Sequence, residues 1–247
     1  MSRAQKDVLC LFDVDGTLTP ARKSITPEMK NFMARVSEHV DIATVGGSDM
    51  GKQVEQMGPT LLQEYKFCFS ENGLVGYKDG IKFHENSLKA RIGEERLALF
   101  VSEAMKLINE FQYPVKTSNF VEVRMGMINV APIGRDCTYE QRLEFFEYDK
   151  IHHVRDTMIA RLKAQFPEFA MVVGGQISFD VFPPEWSKAY CLQFCAGYQT
   201  IHFFGDKTAP GGNDYDIFTD PRVVGHTVTG PDNTMALLAE LFDVPIA

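Results

Sequence analysis

The run Val8-Leu9-Cys10-Leu11-Phe12-Asp13-Val14-Asp15-Gly16-Thr17 constrains the fold of this chain more than any other feature. Five apolar residues in succession, closed by a polar end, read as a short strand buried on both faces, as in a parallel sheet. Two carboxylates follow, two residues apart, with a glycine and a hydroxyl behind them. The mouth of a parallel sheet is where α/β proteins take ligands. Acids held together raise each other's pKa. A divalent cation offsets that cost, because hard cations prefer oxygen ligands. The pair also divides two tasks: Asp13 can attack an electrophile and Asp15 can carry a proton. A bare Asp-x-Asp is equally well explained by a loop that caps a helix. The strand, the glycine and the threonine together favour chemistry.

The rest of the chain supplies a sheet for that strand. A helix is expected over 27–39, with Thr26 as N-cap and Pro27 in its first turn. Strands are expected at 40–45 and 66–70, with a helix capped by Ser48 or Asp49 between them and a hairpin at Lys78-Asp79-Gly80. The middle changes character. Long helices over 94–113 and 139–165 alternate with strands near 115–119, 121–124, 127–131, 170–174 and 177–182. The first pattern then resumes, with a helix at 187–196, strands at 201–204 and 223–228, and a helix at 232–242. The expected fold class is α/β: a Rossmann-like core with a parallel sheet, 1–82 and 186–247, split by an inserted α+β cap, 83–185. Pro183-Pro184 marks one hinge.

Composition narrows the partners. A formal net charge of −8 disfavours nucleic acid or an anionic membrane surface. An anionic small substrate then requires cations gathered locally. No apolar stretch approaches the roughly 20 residues that span a bilayer, and MSRAQKD carries no secretory h-region. Five cysteines without paired spacing fit a reduced, cytoplasmic setting. Cys191 and Cys195, four apart, read as core residues on one face.

Three more strand ends bear chemistry. Gly46-Gly47-Ser48 offers backbone N–H groups and a hydroxyl at a helix start, as an anion site or a plain cap. Lys188 opens a helix against its dipole, so it is either surface or paired with something negative. Gly205-Asp206 ends a strand, and Asp206 is a natural further cation ligand if that strand lies beside Val8–Phe12. Asn213-Asp214 offers groups to orient it. In the middle block, Arg124, Arg135 and Arg142 come from a strand, a turn and a helix. Converging, they would clamp a phosphate; singly, each is better read as a surface ion pair with Glu122 or Glu140. Ser178 and Asp180 alternate along one strand and could bond sugar hydroxyls.

DVDGT, the serine after the second strand, the lysine and GD…ND, in this order, resemble the haloacid dehalogenase superfamily of phosphotransferases. FDVDGTLTPAR, VGGSD, FSENGL, NVAPIGR, GGQISFDVFP and HFFGDKTAPGGNDYDIFTDPR narrow the resemblance to its eukaryotic-type phosphomannomutases. The resemblance implies interconversion of mannose 6-phosphate and mannose 1-phosphate, feeding GDP-mannose synthesis. It implies an aspartyl phosphate on Asp13, acid–base work by Asp15, and a hexose 1,6-bisphosphate as intermediate and primer. Asp13, Asp15, Ser48 and Lys188 would be catalytic. Arg22, Arg124, Arg135, Arg142, Ser178 and Asp180 would hold the hexose phosphate. Mg²⁺ would bind Asp13, the Asp15 carbonyl and Asp206, and a second cation Phe218, Asp220 and Val223. The family resemblance also implies a homodimer formed through the caps. Departures fall at Val123, Met125, Glu185, Ser187 and Val223, and none removes a reacting group. A phosphatase on the same core is the alternative activity.

Overall fold

In the computed structural model, residues 6–20 and 23–246 are described. The chain forms two compact units. One joins the residues up to Glu85 with those from Glu185 onward, and the other is Asn86–Pro184.

The first unit opens with β1 (Val8–Phe12), α1 (Pro27–His39), β2 (Asp41–Val45) and α2 (Met50–Met57). A short α3 (Leu61–Glu64), β3 (Phe67–Ser70), β4 (Val75–Lys78) and β5 (Ile81–Glu85) follow. In β1, Cys10 and Phe12 enter one core and Leu9 and Leu11 the other. That two-sided burial is why the strand is apolar throughout. Thr26 caps α1 by accepting from the Met29 amide. Met29, Phe32, Met33 and Val36 make its buried stripe, the spacing of one helical face.

The second unit contains α4 (Leu88–Ile92), α5 (Glu94–Glu110), β6 (Val121–Val123), β7 (Ile128–Val130), α6 (Tyr139–His152), α7 (Val154–Gln165), β8 (Ala170–Gly174) and β9 (Ser178–Phe182). Its strands form an antiparallel sheet in the order β6-β7-β9-β8. Three expectations change here. The helix expected to reach 113 ends at Glu110. No strand forms at 115–119; the segment is tied to 133–136 only by scattered backbone bonds, and Asn119 at its end takes a positive φ of 59°. The helix expected over 139–165 breaks at His153, in left-handed conformation. Buried Asp149 accepts from both the backbone and the Nε of Arg155 across that break.

The chain then returns to the first unit with β10 (Thr200–Gly205), α8 (Tyr215–Phe218), β11 (Val224–Thr227) and α9 (Pro231–Phe242). The helix expected at 187–196 is a run of tighter 3₁₀ turns, Lys188–Phe194. Cys191 and Cys195 are both buried, as expected. The sheet order is β11-β10-β1-β2-β3-β4-β5. The first five strands in that row run parallel, and β4 and β5 add an antiparallel edge. With β10 directly beside β1, Phe12 pairs with Phe204. The acids after both strands therefore leave the sheet at the same end.

Candidate active site

Immediately past β1 the chain turns back on itself. The Val14 carbonyl accepts from the amides of Thr17, Leu18 and Thr19. Gly16 takes a positive φ of 79°, and a Cβ built there would lie 2.5 Å from Asp206 Oδ2. Only glycine gives both that backbone and that room. Asp13 is thereby held beneath the mouth of the sheet, 5% exposed, while Asp15 is half-buried.

Lys188 is buried, not a surface residue. Its Nζ donates to Asp13 Oδ1 and, at 2.6 Å, to Asp214 Oδ1. Asp214 is itself fully buried and also accepts the Lys207 amide at 3.0 Å. Burial opposes charge on every member of this group. For Lys188 the two carboxylates outweigh burial and hold the ammonium above its ordinary pKa. For Asp13 burial prevails over Lys188, and the carboxyl is pushed up to about 6.

A pocket of about 140 Å³ opens here, lined by Asp13, Asp15, Gly46–Ser48, Gln53, Gln56, Lys207 and Asn213. Asp49, not Ser48, caps α2 by accepting from the Lys52 amide, which leaves Ser48 in the pocket wall. The loop after β3 fastens this wall, with Glu71 N–H donating to the Ser48 carbonyl and Asn72 N–H to that of Gly46. Gln56 Nε2 donates to Asp15 Oδ1 at 2.7 Å. That contact orients the carboxyl proposed to move protons, and sequence reasoning missed it. In the sequence Gln53 and Gln56 stand three apart, on one face of α2, and only the fold shows that both are buried.

Asp13, Asp206 and Asp214 each bring a carboxylate oxygen within 4.8 Å of the others. One ammonium serves two of them. Asp206 Oδ1 is buried with no hydrogen-bond partner, and burial raises the pKa of its carboxyl above the ordinary value. Lys207 also acts on Asp206, but three clustered carboxylates with one unbonded buried oxygen are hard donors that fit a divalent cation. Adding Mg²⁺ should raise the unfolding temperature of the first unit, and a chelator should reverse the shift. Saturation at about 100-fold over Kd corresponds to roughly 2.7 kcal/mol. Asp206→Ala should abolish the shift; an unchanged shift in that variant would move the cation elsewhere.

The second unit gathers some of the expected sugar-phosphate residues. Glu122 pairs with Arg124 at 2.7 Å and with Arg135 at 3.2 Å. Arg135 reaches Asn129, which bonds Ser178 and Asp180. Arg142 lies in the first turn of α6, half-buried and outside this network. Arg22 lies outside the described residues. Phe218, Asp220 and Val223 occupy α8 and the turn before β11. Both carboxylate oxygens of Asp220 are engaged by Arg222, and its carbonyl accepts the Val223 amide.

Solved structures share this architecture. A haloacid dehalogenase-like hydrolase from Bacteroides thetaiotaomicron aligns over 96% of this chain and 100% of its own, with a TM-score of 0.61 and 14% identity. An IMP-nucleotidase from Plasmodium falciparum aligns over 95% of this chain and 68% of its own, with a TM-score of 0.60 and 17% identity. The fold is thus that of the haloacid dehalogenase-like proteins. Finer resolution comes from sequence. The model of the family Eukaryotic phosphomannomutase matches residues 29–244. The phosphomannomutase of Spinacia oleracea is 51% identical over 241 residues, 97% of each chain. That of Oryza sativa subsp. indica is 49% identical over 243 residues, 98% of each. This chain belongs to the eukaryotic phosphomannomutase family.

Proposed function

We propose that this chain is a phosphomannomutase, interconverting mannose 6-phosphate and mannose 1-phosphate. The observation that carries the chemistry is the buried Asp13, ion-paired to Lys188 in a pocket that also holds Asp15. A carboxylate oxygen of Asp13 attacks phosphorus, and the bond from phosphorus to the leaving oxygen breaks. Asp15 delivers a proton to that oxygen. In the return direction Asp15 removes the proton from a sugar hydroxyl, which attacks the aspartyl phosphate and frees Asp13. Two such transfers, with the hexose 1,6-bisphosphate turning between them, exchange the phosphate positions. Phosphoryl transfer depends on positioning and charge neutralisation more than on covalent help. Lys188 and the backbone N–H groups of Gly47 and Ser48 supply both to the phosphoryl oxygens, whereas the Gly46 N–H donates to the Phe69 carbonyl within the sheet.

Mg²⁺ is the cation we assign to Asp13, Asp206 and the Asp15 carbonyl, where it would neutralise charge developing on the phosphoryl group. The guanidinium groups of Arg124, Arg135 and Arg142 take the phosphate that is not reacting, and Ser178 and Asp180 take sugar hydroxyls. A homodimer through the second unit completes the reading, supported by the exposed Tyr139 and Leu143 one turn apart on α6. Residence in the cytoplasm belongs to the same reading, supported by five free cysteines.

The experiment is an assay of mannose 1-phosphate with and without a trace of hexose 1,6-bisphosphate. Conversion should depend on the primer and release little inorganic phosphate. Primer-independent release of phosphate would instead make the chain a sugar-phosphate phosphatase.

A further inference from the structure

A line of polar side chains crosses the sheet of the second unit. The strand register sets Glu122 opposite Asn129, and Asn129 opposite Asp180. Directly paired residues project from the same face. Asn129 stands at the centre and is 4% exposed. Its Oδ1 accepts from Arg135 Nη1. Its Nδ2 donates to Asp180 Oδ1 at 2.6 Å and to Ser178 Oγ at 3.1 Å. The reverse amide orientation would set an NH₂ group against a guanidinium and an oxygen against a carboxylate, so the neighbours fix it. Asp180 is tightly seated: a Cβ on Gly174 would lie 2.9 Å from its Oδ2. Beyond Arg135, Glu122 ties in Arg124. These outer ion pairs are more than a third exposed on each side, so they are weak and open to exchange with a phosphate. The bonds to Asn129 are the enclosed part of the network.

We infer that Asn129 is a positioning residue that sets the sugar specificity of this site, an inference resting on the function proposed above. It fixes the spacing between Arg135, which holds phosphate, and the Ser178–Asp180 pair, which reads hydroxyls. An amide does this because it accepts at one end and donates twice at the other. An aspartate of the same shape keeps the bond to Arg135 but offers no donor to Asp180, and it sets two carboxylates side by side. Alanine loses both ends.

The test compares wild type, Asn129→Asp and Asn129→Ala. KM and kcat are measured for mannose 1-phosphate and glucose 1-phosphate with saturating primer, and hydrolysis of p-nitrophenyl phosphate, which has no sugar hydroxyls, is followed alongside. Hydrogen bonds to charged groups carry enough energy that KM for mannose 1-phosphate should rise about tenfold or more in either variant. The ratio of kcat/KM between the two sugars should move by about fivefold or more. Nitrophenyl phosphate hydrolysis should fall far less than sugar turnover. Unchanged KM and sugar ratio in an active variant would overturn the inference, as would a parallel fall of all three activities. Should the alanine variant fail to fold, the near-isosteric aspartate decides. A wild type without primer-dependent mutase activity overturns the functional reading and this inference together. An active wild type with indifferent variants overturns the inference alone.

Discussion

Lys188→Met should destabilise the first unit by about 3–5 kcal/mol, the usual penalty for removing one partner of a buried ion pair. Lys188 is 1% exposed, and it bonds both Asp13 and Asp214, which are 5% and 0% exposed. Methionine fills similar volume, so the loss is electrostatic rather than a cavity. Two carboxylates would remain in a low-dielectric site with Asp206 nearby, without the ammonium that bonds them both. The measurement is a urea titration followed by tryptophan fluorescence, since the single Trp186 lies in this unit and is buried. Adding Asp214→Asn should recover part of the stability without restoring turnover. A Lys188→Met midpoint equal to that of wild type would mean that the ammonium does not carry the balance of charge described here.

Asp13→Asn should lower mutase turnover by a factor on the order of 10⁶, as loss of a nucleophile does in other covalent mechanisms. Its folding should not suffer in the same way. Burial lifts the Asp13 carboxyl to about 6 from the ordinary value of 3.8. The folded protein then holds this proton more tightly than the unfolded chain, so stability falls as pH rises from about 4 to about 6. The amide removes that dependence. Without a cation at pH 7, Asp13→Asn should therefore unfold at a urea concentration no lower than wild type. Turnover above about 1% of wild type, or loss of stability in parallel with activity, would remove Asp13 from the role of phosphoryl acceptor.

Much of this site was legible because its residues stand at strand ends. Val8–Phe12 declares its burial by composition alone, and β10 follows the same rule, so the acids after both were readable once the strands were placed side by side. Lys188 was harder. Lysine is most often a surface residue, and only β10 beside β1, with Asp214 beneath, makes a buried ammonium intelligible. Gln56 was hidden for a related reason: a glutamine on an amphipathic helix signals solvent unless the helix is known to turn that face toward a carboxylate. The middle block lost accuracy where a single left-handed residue decided the outcome. Left-handed Asn119 closes a segment where the expected strand does not form, and left-handed His153 splits a helix. Neither residue type forbids regular structure. Lys188–Phe194 kept a helical pattern of burial while winding more tightly, a difference that apolar spacing over seven residues does not record.

The register of β1 against β10 has a consequence for how the protein is made. Val8 and Thr200 are neighbours in the sheet, yet about 190 residues separate them, or roughly 10–40 s of ribosomal synthesis at ordinary speeds. Throughout that interval the most apolar strand of the nascent chain has one hydrogen-bonding edge without its native neighbour. Such an edge invites pairing with other chains. Efficient biogenesis should therefore depend on chaperone protection of the amino-terminal segment, and slowing elongation should lengthen its exposure to aggregation.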